Sequence, residues 1–343
     1  MGEINFSLFC LVSLLKLLQF STMKIRLLFI SVFVFIGCDK NHTVILPDEE
    51  LADSGHDKNQ TAVKSDKAQV LSNVDNELVY EREELSKKES VPTDHLSDKI
   101  SRTQSLLMKA NPQYKGQGKL HQENGKIVAA EFPGCSLKDL SPLRGLELEA
   151  LDLSGNPVRE IRHLRGMPLG RLFLEYTLVE SLQELQDANL VELRLNGSPV
   201  RSLDGLEGQP LENLYAVGTQ INNINALRDT QLRQLWLSES PVSDFSPLAG
   251  LPLVSLTAHR TLLEDLSFIR KLPLIQRLHI GETMVKDLSP LAGLNLTRLV
   301  FSPERIEQGL DVAKSLSNVK EIGTKFDDKG RDLTTPDVFW AKF

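Results

Sequence analysis

The stretch Leu148-Glu149-Ala150-Leu151-Asp152-Leu153-Ser154-Gly155-Asn156 decides the fold of this chain, because its leucine pattern returns every 21 residues. The first leucine of the stretch recurs at Leu169, Leu190, Leu211, Leu232 and Leu253, and the second recurs at Leu172, Leu193, Leu214, Leu235 and Leu256. After one inserted residue near 274–275, the same step resumes at Leu278 and Leu299. A fixed period of this length is typical of a stacked repeat array, in which each unit contacts mainly its neighbours.

Each repeat unit contains two kinds of apolar spacing. Leu151 and Leu153 alternate with a polar residue, which predicts a short strand with one buried face. The apolar residues that follow are three apart, at Val158, Ile161 and Leu164, and this spacing suits a tight 3₁₀ turn. One unit cannot bury its own leucines, but units stacked about 4.8 Å apart as parallel strands can. The sequence therefore predicts an α/β solenoid, with short parallel β-strands on the concave face, 3₁₀ or turn segments on the convex face and helical caps.

The pattern L-x-x-L-x-L-x-x-N-x-L resembles the leucine-rich repeat, in the short form of internalin-like and SDS22-like proteins. About eight near-copies cover residues 127–303. Three Ser-Pro-Leu tripeptides strengthen this resemblance, at 141–143, 246–248 and 289–291. A serine before a proline also suits a helix start, where we expect the hydroxyl to cap free N–H groups. The resemblance implies a right-handed coil and a role in binding.

Small residues occupy the position where the repeat motif has asparagine: Cys135, Asn156, Thr177, Ser198, Thr219, Ser240, Thr261 and Thr283. A row of hydroxyls for catalysis is one interpretation of this column. The interpretation we favour is a buried polar ladder that donates hydrogen bonds to the backbone of the adjacent coil, because buried loop backbone needs partners. Cys135 lies in the same column and is expected to be a buried thiol rather than a nucleophile.

The first part of the chain has the pattern of an export signal. Residues 23–26 form a short basic segment with Lys24 and Arg26, residues 27–36 are predominantly apolar, and Gly37-Cys38 closes the segment. This resembles a bacterial lipoprotein signal peptide over residues 23–38, which implies that Cys38 is lipidated and becomes the mature N-terminus. Phe35 departs from the lipoprotein pattern, in which this position is usually leucine. The alternative interpretation of residues 23–38 is an uncleaved membrane anchor. Residues 1–22 are interpreted as an upstream mis-start, with an extended n-region or a membrane hairpin as alternatives. The expected location is therefore extracytoplasmic, on a membrane of a bacterial envelope.

Residues 39–95 are expected to form a disordered acidic tether. The stretch 39–99 contains 15 acidic and eight basic residues, which accounts for the formal net charge of −7. Such a composition cannot bury enough apolar surface to fold. Residues 96–126 are assigned to an N-terminal cap, with helical spacing from Thr93 to Ala110. Residues 304–343 are assigned to a C-terminal cap, with a helix over 304–316 and an aromatic tail that can pack on the last coil.

The outward strand positions are the candidate binding surface. The position between the second and third leucines carries Glu131, Asp152, Phe173, Arg194, Tyr215, Trp236, Thr257, His279 and Val300. Aromatic residues make up only 6% of the chain, so three of them in one column indicate a binding strip. With residues of the adjacent columns, the predicted partner-binding set is Phe173, Glu175, Tyr176, Arg194, Tyr215, Trp236, His259 and His279. The alternative is that the aromatics only cover the strand surface.

Composition limits the class of ligand. Residues 101–343 contain 28 basic and 30 acidic residues, so no basic face is predicted for nucleic acid. A protein segment or a glycan suits aromatics flanked by Glu and Arg. His259 and His279 lie in neighbouring coils, but without a third ligand no metal site is predicted. No cofactor is predicted either. The three cysteines imply no disulfide framework.

No catalytic motif occurs in a suitable context, so the chain is predicted not to be an enzyme. Its repeats are similar to the tails of some bacterial serine/threonine kinases, but the kinase motifs are absent from the sequence. Three hypotheses remain. The first is a lipid-anchored module that binds an envelope or extracellular protein. The second is a cell-wall or glycan binder that uses the same strip. The third is an accessory subunit that binds through its edge or convex side.

Overall fold

The computed structural model describes residues 93–327 and 330–343. Three sequence predictions therefore lie outside the described residues: the upstream segment 1–22, the signal peptide 23–38 with lipidation at Cys38, and the tether up to residue 92. Within the described part of the chain, no helix has both the length and the apolar character that a membrane crossing requires.

The N-terminal cap begins with helix α1, Thr93–Ala110, over the range that the apolar spacing predicts. Residues 93–95 therefore belong to the helix rather than to the tether. Leu107 is fully buried against the core, and the side chain of Asn111 fixes the end of the helix. Its amide nitrogen donates to the carbonyls of Leu107 and Asp139, and its oxygen accepts from the backbone N–H groups of Lys138 and Asp139. The helix is thereby attached to the first coil.

An antiparallel hairpin follows, and the sequence pattern did not predict it. Strand β1, Lys119–Glu123, pairs with β2, Lys126–Glu131, with a bulge at His121 and Gln122. The rings of Tyr114 and Phe132 meet edge to face at 6.0 Å beneath it. The hairpin gives the first parallel strand a neighbour, so the sheet does not end on an unpaired coil.

The repeats form one continuous sheet, in which β2 and every later strand pair in parallel. Successive strands pair residue for residue, so each of the three strand positions forms a straight column across the coils. The first and third positions face outward, and the second faces the core. The strands are β3 Ala150–Asp152, β4 Arg171–Phe173, β5 Glu192–Arg194, β6 Asn213–Tyr215, β7 Gln234–Trp236, β8 Ser255–Thr257, β9 Arg277–His279, β10 Arg298–Val300 and β11 Glu321–Gly323.

Short 3₁₀ segments lie on the opposite side of the coils, as the three-residue spacing predicts. They include Ser141–Leu143, Ser246–Leu248 and Ser289–Leu291. The prediction that the serine hydroxyl caps these segments is wrong, because none of them has such a bond. An aspartate two residues before each serine accepts from the serine N–H instead, for example Asp139 at 2.8 Å from Ser141 N. This bond is the main reason that the pKa of Asp139 is lowered.

The polar column is buried, as predicted, but its hydrogen bonds differ from the prediction. The hydroxyls of Thr177, Ser198, Thr219, Ser240, Thr261 and Thr283 each donate to the carbonyl three residues earlier in their own coil. A hydroxyl is too short to reach the neighbouring coil from this position. Asn156 reaches the preceding coil, because its amide donates to Phe132 O and its oxygen accepts from Leu137 N. Burial raises the pKa of Cys135, in the same column, to about 11.

The C-terminal cap contains less helix than the sequence predicts. The range 304–316 was expected to be helical, but it contains a 3₁₀ turn, Pro303–Arg305, and the short helix α2, Leu310–Ser315. Strands β12, Phe326–Asp327, and β13, Gly330–Arg331, then form a small antiparallel hairpin. Helix α3, Pro336–Trp340, places Phe339 in the core at 5.9 Å from the Phe301 ring. The aromatic tail thus covers the last coil.

Candidate functional site

The candidate site is a row of outward side chains at the third position of successive strands. The sheet register pairs Asp152 with Phe173, then Arg194, Tyr215, Trp236, Thr257 and His279. The first five of these side chains are half-buried, and Thr257 and His279 are buried. Because neighbouring strands are about 4.8 Å apart, side chains in this row can contact one another directly.

Four of these residues form what we call the aromatic stack: Phe173, Arg194, Tyr215 and Trp236. The guanidinium carbon of Arg194 lies 4.5 Å from the ring centre of Phe173 and 5.1 Å from that of Tyr215. The Tyr215 and Trp236 rings follow at 5.3 Å, with an interplanar angle of 71°. These are distances for cation–π and edge-to-face aromatic contacts. The stack therefore runs without a gap over four strands.

Polar neighbours fix the orientation of the stack. Glu192 accepts from Arg194 at 2.7 Å from Nε and 2.6 Å from Nη2. The Tyr215 hydroxyl lies 3.5 Å from the Gln234 side-chain oxygen. Burial is the main cause that raises the pKa of Tyr215, so its hydroxyl is neutral at physiological pH. The positions of these side chains are thus set by the fold before any ligand arrives.

Glu175 lies beside the stack in the next outward column. Its carboxylate accepts a hydrogen bond of 2.6 Å from the Asn196 amide, and the Asn196 oxygen accepts from the N–H of Val217. Burial is the largest influence on Glu175 and raises the pKa of its carboxyl group, against the lowering influence of Asn196 and Arg194. Asn196 occupies one of the acceptor sites of the carboxylate, so the carboxylate has further acceptor capacity near Arg194.

Tyr176 is the most exposed aromatic residue near the stack, with 68% of its surface accessible. It occupies a position that has a left-handed backbone in consecutive coils: Gly155, Tyr176, Gly197, Gly218, Glu239, Arg260 and Glu282. The Tyr176 ring lies against Gly197, where an added Cβ would be 2.6 Å from Cδ1. In three later coils of the same column, Arg260 bridges Glu239 and Glu282 at 2.8 and 2.9 Å.

The sequence predicted that His259 and His279 belong to the exposed binding surface, and this prediction is wrong because both side chains are buried. Their exposed fractions are 3% and 2%, so neither can contact a partner where it lies. The Phe326 ring lies 4.5 Å from the ring of His279, and Thr257 Oγ1 is 3.1 Å from its Nδ1. Burial is the main cause that lowers the pKa of His279 to about 3. His259 Nε2 lies 3.8 Å from a Glu282 oxygen.

Phe326 is the residue that sequence reasoning missed. The chain turns back after β11, and Phe326 crosses β10 to reach the surface of β9, with the Arg298 guanidinium 4.8 Å from its ring. No repeat pattern covers residues 324–334, so periodicity carries no signal for this fold-back. In the part of the chain that the structure describes, no group of three His, Cys, Asp or Glu side chains is placed to hold a metal ion.

Comparison with known proteins gives similarity of structure only. No protein-family model matches this chain, and no curated protein matches it. Internalin C2 from Listeria monocytogenes is similar over 59% of this chain and 92% of its own, with 22% identity and a TM-score of 0.52. A second internalin of that organism covers 65% of this chain and 86% of its own, at 19% identity and a TM-score of 0.36.

A leucine-rich repeat protein of Leptospira interrogans is similar over 52% of this chain and 55% of its own, at 23% identity and a TM-score of 0.36. All three identities are low, so the similarity concerns the fold. The likeness to internalin C2 agrees with the 21-residue repeat and the residue-for-residue register of the strands. The chain therefore has the leucine-rich repeat fold, with a helical cap.

Proposed function

We propose that this protein is a non-enzymatic, lipid-anchored protein of a bacterial envelope that binds a protein partner on the concave face of its repeats. The contact surface is the aromatic stack together with Glu175 and Tyr176. His259 and His279 are not part of it, because they are buried. The single observation that supports this function most strongly is the stack itself, which joins four consecutive strands through ring and guanidinium contacts.

Two physical properties make the stack suited to binding. Its members are half-buried and hold one another in place, so little side-chain entropy remains to be lost when a partner binds. Tyr, Trp and Arg are also the residues that contribute most to the free energy of protein–protein binding. The mixed charge around the stack, with Glu192 beside Arg194, favours a partner of mixed polarity over a phosphate backbone.

The proposed location of the protein depends on its N-terminal sequence. We propose that residues 1–22 precede the true start, that residues 23–38 are a signal peptide, and that residues 39–95 tether the folded part. Lipidation of Cys38 would place the repeats outside the cytoplasm. Mass spectrometry of the mature chain tests this proposal: we expect an N-terminal diacylglyceryl cysteine at position 38. An unmodified chain that begins at Met1 would contradict it.

An affinity experiment tests the binding function. The full chain in detergent serves as bait on envelope extract, beside a Phe173→Ala, Tyr215→Ala, Trp236→Ala variant. A matched control carries Leu106→Ala, Leu274→Ala and Val338→Ala, three exposed apolar residues outside the stack. We expect one protein to be captured by the parent and the control and lost by the stack variant.

The other outcomes separate the alternatives. Retention on purified cell-wall polymer, lost in the stack variant, without capture of a protein would favour the glycan hypothesis. Equal capture of one protein by all three baits would move the contact to the convex side, the edge or the caps, and the proposal of a concave site would be wrong.

A further inference from the structure

Two arginines lie side by side at the C-terminal end of the concave face. Arg277 on β9 pairs in register with Arg298 on β10, and directly opposed like charges destabilise a sheet. Only Arg298 is compensated: its Nε donates to Glu321 at 2.6 Å, and its guanidinium lies over the Phe326 ring. Arg277 forms no ion pair or side-chain hydrogen bond with any other residue that the structure describes. Its charge is therefore unbalanced within this part of the fold.

Among the side chains that the structure describes, two carboxylates of the neighbouring coils are already paired, because Glu321 binds Arg298 and Glu282 binds Arg260. The Arg277 and Arg298 guanidiniums also contribute to keeping the pKa of His279 low, which indicates a positive potential at this place. An anion placed beside Arg277 would relieve both the unbalanced charge and the repulsion from Arg298.

The surface between Arg277 and the aromatic stack consists of small residues. Strand β8 presents Ser255 and Thr257 on its outward side, and both are buried between the strands that carry Trp236 and Arg277. Two strand steps, about 10 Å, separate β7 from β9, and Arg277 lies two residues before the residue that is in register with Trp236, so the two Cα atoms are about 12 Å apart. Three residues of an extended peptide cover about 10 Å of this distance, at roughly 3.3 Å each, and the long arginine side chain can cover the rest.

We propose that Arg277 binds a carboxylate of a polypeptide ligand, about three residues from a large apolar or aromatic side chain of that ligand that packs on Trp236. This inference rests on the proposed function and names the chemistry of the partner. A carboxylate is the anion of choice because one guanidinium can hold it with two parallel hydrogen bonds. Arg298 is already engaged, so a second guanidinium for a phosphate is not available at this position.

The test uses two fluorescein-labelled peptides, Trp-Ser-Ser-Asp and Trp-Ser-Ser-Asn, each with an amidated C-terminus. They are titrated by fluorescence anisotropy against the full chain in detergent and against Arg277→Gln, Arg171→Gln and Trp236→Ala variants. Arg171 is the matched control, because it occupies the same strand position on β4 and also lacks an ion pair among the described residues. We expect the parent to bind the Asp peptide about tenfold more tightly than the Asn peptide.

The variants distinguish this inference from the proposed function. Arg277→Gln should abolish the preference for Asp, leave the affinity for the Asn peptide unchanged and not lower the melting temperature, because it removes the repulsion from Arg298. Arg171→Gln should keep the preference. Trp236→Ala should weaken both peptides equally. If Trp236→Ala has no effect while Arg277→Gln removes the preference, the stack is not the contact surface and the packing on Trp236 is wrong, whereas the carboxylate contact at Arg277 is retained. Equal binding of both peptides by the parent, no binding of either, or loss of the preference in Arg171→Gln would overturn the inference. Selective binding of an oligogalacturonate without a preference for Asp would assign the site to an acidic glycan and overturn it too.

Discussion

The guanidinium of Arg194 lies over the ring of Phe173 at 4.5 Å, one strand away in the same outward column. The same group contacts Tyr215 at 5.1 Å on the other side, so one arginine joins two aromatic rings that do not touch each other in the sheet register. Glu192 holds this guanidinium through two hydrogen-bonding nitrogens. Arg194 is therefore the central member of the candidate site and also contributes to its stability.

Replacing Arg194 tests that double role. Arg194→Met keeps the length of the side chain but removes two cation–π contacts and the ion pair with Glu192. We expect the free energy of unfolding to fall by about 1–2 kcal/mol, as measured by urea denaturation. Arg201→Met is the control, because Arg201 is exposed and its side chain forms no hydrogen bond, ion pair or cation–π contact with another residue that the structure describes. Equal losses in the two variants would show that the stack contributes nothing to stability.

The two kinds of residue in the buried polar column should differ in their contribution to stability. Asn156 accepts from Leu137 N and donates to Phe132 O in the preceding coil, whereas Ser198 donates to Leu195 O in its own coil. Asn156→Ala leaves a buried N–H without a partner, so we expect a loss of about 2–3 kcal/mol. Ser198→Ala should lose about 1 kcal/mol. Urea denaturation compares the two, and a larger loss for the serine variant would contradict this account.

The sequence predicts the sheet well because the repeat is strict. The 21-residue step of Leu151 and its equivalents fixes both the strand positions and the register, and hence the row from Phe173 to Trp236. The step cannot show which hydrogen bonds the polar column makes, because that depends on side-chain length. The repeat pattern therefore predicts the same hydrogen bonds for Thr177 and Asn156, although only the asparagine reaches the neighbouring coil.

The caps are less predictable for a different reason. The β1–β2 hairpin and the segment after β11 occur once each, so no period marks them. The fold-back that brings Phe326 onto His279 follows from tertiary contact two strands away. Periodicity placed His279 on the outward face of its strand, and that is where it lies. Its burial comes from a segment outside the repeats, which the pattern of the repeats cannot reveal.

Glu175 gives the candidate site a dependence on pH. Burial raises the pKa of this carboxyl group in the folded chain, so the ionised form is less favourable there than in the unfolded chain. Below the pKa of the unfolded chain, near about pH 4, the group is protonated in both states and costs no stability. The free energy of unfolding falls as the pH rises from that value to the folded pKa, and the loss is complete above the folded pKa. Glu175→Gln removes the charge and retains an acceptor for the Asn196 amide.

We expect Glu175→Gln to raise the free energy of unfolding at neutral pH and to match the parent below about pH 4. Urea denaturation at a series of pH values measures the difference. Glu264→Gln, a change at an exposed position, should show no such dependence. A stabilisation by Glu175→Gln that stays the same across this range would show that its origin is packing and not the raised pKa.

Alanine substitutions at Gly197 and Gly218 test whether the close contact between Tyr176 and Gly197 matters, because only Gly197 lies against the Tyr176 ring. Both glycines have a left-handed backbone, with φ near +67° and +68°, so an alanine at either position costs about 1–2 kcal/mol in backbone strain. A methyl group at Gly197 would also lie 2.6 Å from the Tyr176 ring, whereas at Gly218 the nearest heavy atom is 4.0 Å away. Gly197→Ala must therefore displace the ring as well.

We expect Gly197→Ala to destabilise the chain more than Gly218→Ala, and to weaken partner binding if Tyr176 belongs to the site. In the Tyr176→Ala background the ring is gone, so Gly197→Ala and Gly218→Ala should cost the same. A double-mutant cycle measured by urea denaturation gives this coupling directly. If Gly197→Ala still destabilises the chain more than Gly218→Ala when the tyrosine is absent, the difference does not come from a clash with the Tyr176 ring. If the coupling is present but binding is unchanged, Tyr176 covers the edge of the coil and leaves the contact surface to the stack.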